Sequence, residues 1–304
     1  MKSLPISAYG KLPLSREFLN HACDQRGAQA VADMLHASAR ALAEVEPRAD
    51  AFRVYFPLPG GRACAAMSLW PSSDAGGKRK FPFGMFALAK AGTPIEHPGF
   101  CTSYAPFHEL HEKLYPQLMD LAGPREFEQL MAKQESPERS AAAAALFAER
   151  ASTYPTTRWA AALYGTDARK FVMALWRLQR LADATQIKRF SGVRLPLVDS
   201  HAIETQADAW MGLIARRIGS LPWPSVIAGR FSDGTASLVM YFRPLEPKDF
   251  AIVSGVAPQG ILDLATHKEL ADQTGFAEFV TKMQDRITRT HPTLREFPDI
   301  LTGI

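Results

Sequence analysis

The apolar residues of this chain change their spacing abruptly near residue 50, and that change constrains the fold more than any other feature of the sequence. Residues 26–46 place apolar side chains along one face of a helix, and Pro47 follows directly. Three apolar runs with turn-forming residues between them come next, which is the pattern of strands. A helix followed by such strands predicts a helix packed on one face of a sheet. The strand candidates are residues 52–57, 63–70 and 81–89.

The middle of the chain is helical in character. Residues 106–122, with an interruption expected at Pro116, and residues 125–133 carry helical patterns. A third helical stretch, residues 137–150, contains five consecutive alanines. Because alanine loses no side-chain entropy in a helix and offers little surface to bury, this stretch is expected to be a connecting helix.

The second half of the chain alternates between the two patterns again. Helical spacing covers residues 167–181, where Asp167 can cap the first turn, and also residues 203–218 and 276–288. Short apolar runs typical of strands lie between these helices, so the whole chain is expected to be an α/β protein. The pattern does not determine strand order or direction, and the sheet could therefore be mixed. The strand candidates are residues 192–198, 225–228, 236–242 and 250–253.

Charge and composition exclude several classes of partner. The chain has 35 Lys and Arg against 31 Asp and Glu, and its one short basic run is at residues 78–80. Nucleic-acid binding normally needs a basic stripe with exposed aromatics, so no nucleic-acid partner is expected. No run approaches the roughly 20 apolar residues of a membrane helix, and residues 1–9 lack the features of a signal peptide. The three widely spaced cysteines are typical of reduced thiols, so a cytoplasmic protein without membrane insertion is expected.

The segment His-Glu-Leu-His-Glu at residues 108–112 resembles a zinc-protease motif, but its histidines are three residues apart instead of four. Such a pair can lie on one helix face and share a metal, yet no third ligand follows at a suitable spacing. We therefore expect His108 and His111 to lie on a solvated helix face, with no metal and no cofactor. A metal-dependent enzyme is the alternative.

Two further segments carry residue types used in catalysis. Asp199, Ser200 and His201 include the three types of a hydrolase triad, but adjacent residues point in different directions and cannot form a relay. They are expected to cap the following helix. Gly-Gly-Lys at residues 76–78 lacks the other residues of a phosphate-binding loop. No catalytic or cofactor-binding residue is predicted, and a hydrolase of unknown substrate stays open as an alternative.

Two groups of residues near the N-terminus are the most specific motifs in the sequence. The first is Tyr-Gly-Lys-Leu-Pro at residues 9–13, followed by Phe18. The second is Pro-Ser-Ser-Asp at residues 71–74, followed by a glycine-containing turn and by Phe-Pro-Phe at residues 81–83. In order and separation they resemble the N-terminal signature of the TagF/ImpM family of type VI secretion system-associated proteins. The resemblance covers residues 5–125.

This resemblance implies a fold, a function and a partner. It implies an αβα-layered α/β domain over residues 1–125, and we expect a helical connector at residues 126–165 and a second α/β portion at residues 166–304. It implies a non-enzymatic cytoplasmic regulator that represses a type VI secretion system after translation by binding another protein. The expected partner is the forkhead-associated scaffold protein of that system, or another of its components. A structural subunit of the secretion machine is a further alternative, which the sequence does not separate from a regulator.

The residues expected to contact the partner lie in the polar loops of the two motifs. Polar loops held by a rigid core are where recognition residues usually lie. The aromatic residues Phe18, Phe81 and Phe83 are instead expected in the core. The predicted contact residues, which would form a polar rim, are Lys11, Arg16, Asp74, Lys78 and Arg79.

Overall fold

A nine-stranded sheet runs through the part of the chain that the computed structural model describes. The strands are β1 (Ser7–Gly10), β2 (Leu19–His21), β3 (Phe52–Pro57), β4 (Ala63–Ser73), β5 (Lys80–Lys90), β6 (Gly192–Pro196), β7 (Ser225–Arg230), β8 (Ala236–Tyr241) and β9 (Ile261–Asp263). Their order across the sheet is β2-β1-β5-β4-β3-β7-β8-β6-β9. The described residues are 5–43, 45–61, 63–90, 99–135, 143–165, 168–181, 190–199, 203–218, 224–255, 260–264 and 275–301.

The sheet is mixed, and it joins the two halves of the chain. Neighbouring strands are antiparallel except for β6 and β9, which pair in parallel. At the centre, β3 pairs with β7, so that Arg53 lies opposite Ala228 and Tyr55 lies opposite Val226. The predicted α/β class is therefore confirmed. The residues before and after the middle helices contribute to one continuous sheet.

Helices cover both faces of this sheet. The described α-helices are α1 (Arg26–Leu42), α2 (Ala105–Met119), α3 (Pro124–Met131), α4 (Ala143–Ser152), α5 (Thr156–Tyr164), α6 (Ala168–Leu181), α7 (Ile203–Ile218) and α8 (Phe276–Thr290). Short 3₁₀ segments are described at Thr102–Tyr104, Pro247–Ser254 and Phe297–Asp299.

The N-terminal half has three layers, with helices on both faces of the sheet. Successive residues of a strand point to opposite faces, so one strand can pack against a helix on each side. On one face, Val31 and Leu35 of α1 pack in the same buried cluster as Phe86 of β5. On the other face, Leu118 of α2 packs in a cluster with Phe83 of the same strand. This is the αβα layering expected for the N-terminal residues.

The middle helices differ from the prediction at Pro116. Helix α2 continues through this residue, although proline removes one helical hydrogen bond. Pro116 is exposed, so the carbonyl group of Glu112 that loses its partner can bind water instead. Residues 137–142 of the predicted connecting helix lie outside the described residues. Within α4, Phe147 and Ala151 are buried, so this helix packs on the protein core.

The strand predicted at residues 250–253 is wrong, because these residues belong to the 3₁₀ segment Pro247–Ser254. Its first turn is closed by a capping box, in which the side chains of Glu246 and Asp249 each accept a hydrogen bond from the other's backbone N–H. The apolar run is buried on the same face of the sheet as α1. A short buried apolar run has no periodicity that separates a strand from a helical turn.

Candidate functional site

The two N-terminal motifs lie side by side in the sheet, although they are far apart in sequence. Strand β1 pairs antiparallel with β5, so Tyr9 lies opposite Gly84 and Gly10 lies opposite Phe83. Gly10 has a φ of +138°, and a Cβ atom there would lie 2.1 Å from the carbonyl oxygen of Pro82. Only glycine avoids both the unfavourable φ and this clash. The close approach of the second motif therefore explains the glycine of the first.

The loops next to these strands also touch each other. Residues 11–18 form the connection that follows β1, and residues 74–79 form the turn between β4 and β5. The backbone N–H of Ala75 donates a hydrogen bond to the carbonyl oxygen of Ser15 at 3.1 Å. We call these two segments together the motif surface. All the predicted contact residues belong to it.

Lys11 does not lie on the polar rim that the sequence predicts, because it is only 3% exposed. Its ammonium group donates a hydrogen bond to the carbonyl oxygen of Arg16. The same group lies 4.5 Å from the centroid of the Phe18 ring. These contacts hold the loop in one conformation and satisfy the buried charge. Lys11 therefore supports the motif surface from inside.

Asp74 is also buried, and it organises the turn of the motif surface. Its Oδ1 atom accepts hydrogen bonds from the backbone N–H of Gly76 at 3.2 Å and of Arg79 at 3.4 Å. Burial by itself would raise the pKa of Asp74, but the N–H groups of Arg79 and Gly76 lower it below its usual value. The nearby Lys11 acts in the same direction. The carboxylate is thus ionised and fixes the turn.

The other three predicted contact residues, Arg16, Lys78 and Arg79, are exposed. None of them forms an ion pair with another residue in the described part of the chain. Glu17 is the one exposed acid within the motif surface. Three exposed cations against one exposed carboxylate make this surface locally basic.

Phe18 lies on the surface, where the sequence predicts a core residue. It is 37% exposed, whereas Phe81 and Phe83 are buried as expected. The ring of Phe18 stacks on Tyr9 at a centroid distance of 5.6 Å, meets Phe81 edge-on at 4.6 Å and lies 5.1 Å from His36. These neighbours come from β1, β5 and α1, so no local pattern around residue 18 could have indicated its exposure.

His108 and His111 are buried, which corrects the prediction of a solvated helix face. Nε2 of His108 lies 2.9 Å from the hydroxyl oxygen of Tyr55, and Nδ1 lies 2.7 Å from that of Ser68. The Ser68 hydroxyl also lies 3.1 Å from Nδ1 of His111. Burial lowers the pKa of both rings, to about 3 for His111. Both rings are therefore neutral core groups that join α2 to the sheet.

The segment at residues 108–112 has no metal-binding geometry in the described structure. Across the described ranges, no three His, Cys, Asp or Glu side chains are grouped so that they could hold a metal ion. Glu112 forms an ion pair with Arg53 instead, at 2.5 Å, and Arg53 lies 3.1 Å from Glu204 of α7. The polar residues of this segment thus connect elements of the fold.

The structure describes only part of the remaining candidate catalytic segments. Asp199 forms an ion pair with Arg230, while Ser200 and His201 lie outside the described residues. Gly-Gly-Lys at residues 76–78 lies in the turn of the motif surface, where Gly77 has a φ of +65°. That geometry belongs to a tight hairpin turn.

A cavity of about 260 Å³ lies between α5, α6 and α8. Among the described residues, its lining is mostly apolar and contains no acid, histidine, cysteine or lysine. The lining residues are Thr156, Thr157, Ala160, Ala161, Gly165, Phe171, Val172, Gln284, Ile287 and Thr288.

These features define a mixed α/β protein that carries an exposed, locally basic loop surface. No family model matches the chain, and no curated protein matches it. Among solved structures, the chain is similar to PA0076 from Pseudomonas aeruginosa PAO1, with 15% sequence identity and a TM-score of 0.44. The similarity covers 88% of this chain and 97% of that chain. Within the described ranges, every helix is too short or too polar to cross a bilayer.

Proposed function

We propose that this chain is a non-enzymatic, TagF-like regulator that represses a type VI secretion system by binding one of its cytoplasmic proteins. The observation that carries the proposal is the contact between the two TagF-like motifs, which are distant in sequence and form one surface. The hydrogen bond from Ala75 to Ser15 joins their loops directly. The proposed partner is the forkhead-associated scaffold protein of the system.

The construction of the motif surface favours binding. Lys11 and Asp74 hold the two loops from inside, so little conformational freedom remains to be lost when a partner binds. The exposed cations Arg16, Lys78 and Arg79 can steer a partner of opposite charge and select among partners. A rigid loop surface with charged side chains at its edge is suited to protein recognition.

The enzymatic alternative has less support. His108 and His111 are buried against the sheet, where Ser68 contacts Nδ1 of both rings and Tyr55 contacts Nε2 of His108. Elemental analysis of the purified protein tests this alternative. A stoichiometric zinc or iron signal that disappears in a folded His108→Asn/His111→Asn variant would favour a metal-dependent enzyme.

Deletion in the native bacterium distinguishes a repressor from a structural subunit. We expect secretion by the type VI system to persist or rise after deletion, because a repressor is removed. Loss of secretion would instead identify a structural subunit. Unchanged secretion, together with no capture of any secretion component by the wild-type protein, would refute both roles.

Titration calorimetry with the purified scaffold protein tests the surface. Arg16→Glu/Arg79→Glu reverses the charge at two exposed positions and is expected to weaken binding at least about tenfold. The matched control is Arg150→Glu/Arg295→Glu, which makes the same change in formal charge at exposed residues outside the motif surface. Equal affinities for the two double variants would show that binding occurs elsewhere.

A further inference from the structure

Phe18 combines exposure with a fixed ring position. Tyr9, on which it stacks, is itself held by a hydrogen bond of 2.9 Å between its hydroxyl group and Nδ1 of His36. Phe81 and the ammonium group of Lys11 complete the surroundings of the ring. An aromatic side chain that is already immobile loses little entropy when a partner covers it, which is a property of binding hot spots.

A single exposed apolar residue is common on protein surfaces, so the charges around Phe18 matter. Arg16 is two residues before Phe18, and Arg79 is two residues before Phe81, whose ring contacts that of Phe18. Glu17, directly before Phe18, is the one exposed acid of the motif surface, and the exposed cations Arg16, Lys78 and Arg79 outnumber it. Phe18 therefore belongs to a surface with an excess of positive charge. In the described residues, Met119 is another exposed large apolar side chain, and it lies outside the motif surface.

We infer that the motif surface binds an acidic protein segment that places one large apolar side chain, aromatic or long aliphatic, against Phe18. The carboxylates of that segment pair with Arg16, Lys78 and Arg79, whose guanidinium and ammonium groups otherwise face solvent. This inference rests on the proposed function, because it takes a protein as the partner. It adds the chemistry by which the partner is recognised.

A nucleic acid fits this surface less well than an acidic protein segment. Binding along a nucleic-acid backbone uses many phosphate contacts, which require a longer basic groove than three side chains provide. The formal net charge of +4 on the whole chain is modest. An acidic segment needs only a few carboxylates near one apolar side chain.

Fluorescence anisotropy with synthetic probes tests the recognition chemistry directly. The first labelled peptide carries one Trp flanked by Asp and Glu, the second has Ala in place of Trp, and the third has Asn and Gln in place of the acids. A labelled oligothymidine serves as the nucleic-acid probe. We expect the first peptide to bind at least about tenfold more tightly than the other probes, and its affinity to fall as salt increases.

Variants place this binding on the motif surface. Phe18→Ala is expected to weaken binding of the first peptide at least about tenfold, and Phe18→Leu to weaken it less. Met119→Ala, which truncates a similarly exposed side chain elsewhere, is expected to change affinity less than about twofold. Circular dichroism and thermal melting establish that each variant is folded. Equal effects of Phe18→Ala and Met119→Ala would overturn the inference.

Other outcomes overturn the inference in distinct ways. Tighter binding of oligothymidine than of the first peptide would make the surface a nucleic-acid site. Self-association of the wild-type protein that Phe18→Ala abolishes would identify a second copy of this chain as the occupant.

The scaffold protein separates the failure of this inference from that of the proposed function. If the scaffold protein binds wild type and Phe18→Ala equally, the recognition chemistry is wrong and the regulatory role stands. If the first peptide binds as expected but no secretion component binds, the regulatory role is wrong and the recognition chemistry stands.

Discussion

Arg53 of β3 forms a partly buried ion pair with the buried Glu204 of α7, in which Nε and Oε1 are 3.1 Å apart. Burial alone would lower the pKa of Arg53, but Glu204 and Glu112 raise it above its usual value, so the guanidinium stays charged. Together with the pairing of β3 and β7, this contact ties the two halves of the chain to each other. The halves are therefore expected to unfold in one transition.

Replacing Arg53 with Met tests this connection. The substitution leaves the buried carboxylate of Glu204 without its cation, and we expect it to lower the free energy of unfolding by about 3 kcal/mol. Glu112→Gln removes the more exposed of the two carboxylates and is expected to cost less than about 1 kcal/mol. Urea unfolding followed by circular dichroism measures both changes. Equal losses would show that Glu204 is not the main partner of Arg53.

Replacing Gly10 with Ala tests the packing of the two motifs. The added methyl group would clash with Pro82, so we expect a loss of at least about 3 kcal/mol in the free energy of unfolding. Gly60 is a matched control, because it has a φ of +91° but no atom within 4 Å of the place that an added methyl group would occupy. Gly60→Ala is expected to cost only about 1 kcal/mol, from its backbone conformation alone. A similar cost at both positions would contradict the close approach of β1 and β5.

Because His108 and His111 are buried, we expect the free energy of unfolding to fall at acidic pH. In the unfolded chain His111 takes up a proton below about pH 6.5, whereas in the fold it stays neutral down to a pKa of about 3. The unfolded state then binds more protons, so the free energy of unfolding decreases as the pH falls between these values. Burial raises the pKa of Asp208 to about 6, which opposes this decrease over part of the range.

His111→Asn isolates the contribution of this histidine. Its amide can keep a hydrogen bond with Ser68 but does not titrate, so the loss of stability between pH 6.5 and pH 4 should be smaller than in wild type. Urea unfolding at several pH values measures the slope. If His111→Asn retains the wild-type slope, His111 is accessible to protons in the folded state.

Arg194 is a buried arginine whose fork-shaped head group connects separate segments. It donates a hydrogen bond of 2.9 Å to the carbonyl oxygen of Gly255 and one of 2.7 Å to the carboxylate of Asp233. Arg194→Lys keeps the charge but cannot make both contacts, so we expect a loss of about 2 kcal/mol in stability. Thermal unfolding measures it. Arg230→Lys, at an exposed ion pair with Asp199, should cost less than about 0.5 kcal/mol. An equal loss of stability in the Arg194→Lys and Arg230→Lys variants would refute the role of Arg194.

The sequence indicated which segments form the motif surface, but it did not indicate which of their side chains are exposed. The motifs indicated the two segments that form the motif surface, because their residue types are those of tight turns and strand entries. They did not indicate that Lys11 is buried or that Phe18 is exposed. Lys11 is held by Arg16 and Phe18 of its own loop. The ring of Phe18 is placed by His36 of α1 and Phe81 of β5, which are distant from it in sequence.

The sequence alone indicated several of the helices and strands, such as α1, β3 and α7, because the spacing of buried side chains along one element is a local property. It also carried the glycine that lets β1 approach β5. Only the tertiary structure decided that β3 pairs with β7 and that His108 and His111 face the core. Strand pairing and burial are set by contacts between distant residues, whose free energies depend on the whole packed arrangement and not on any local run of the chain.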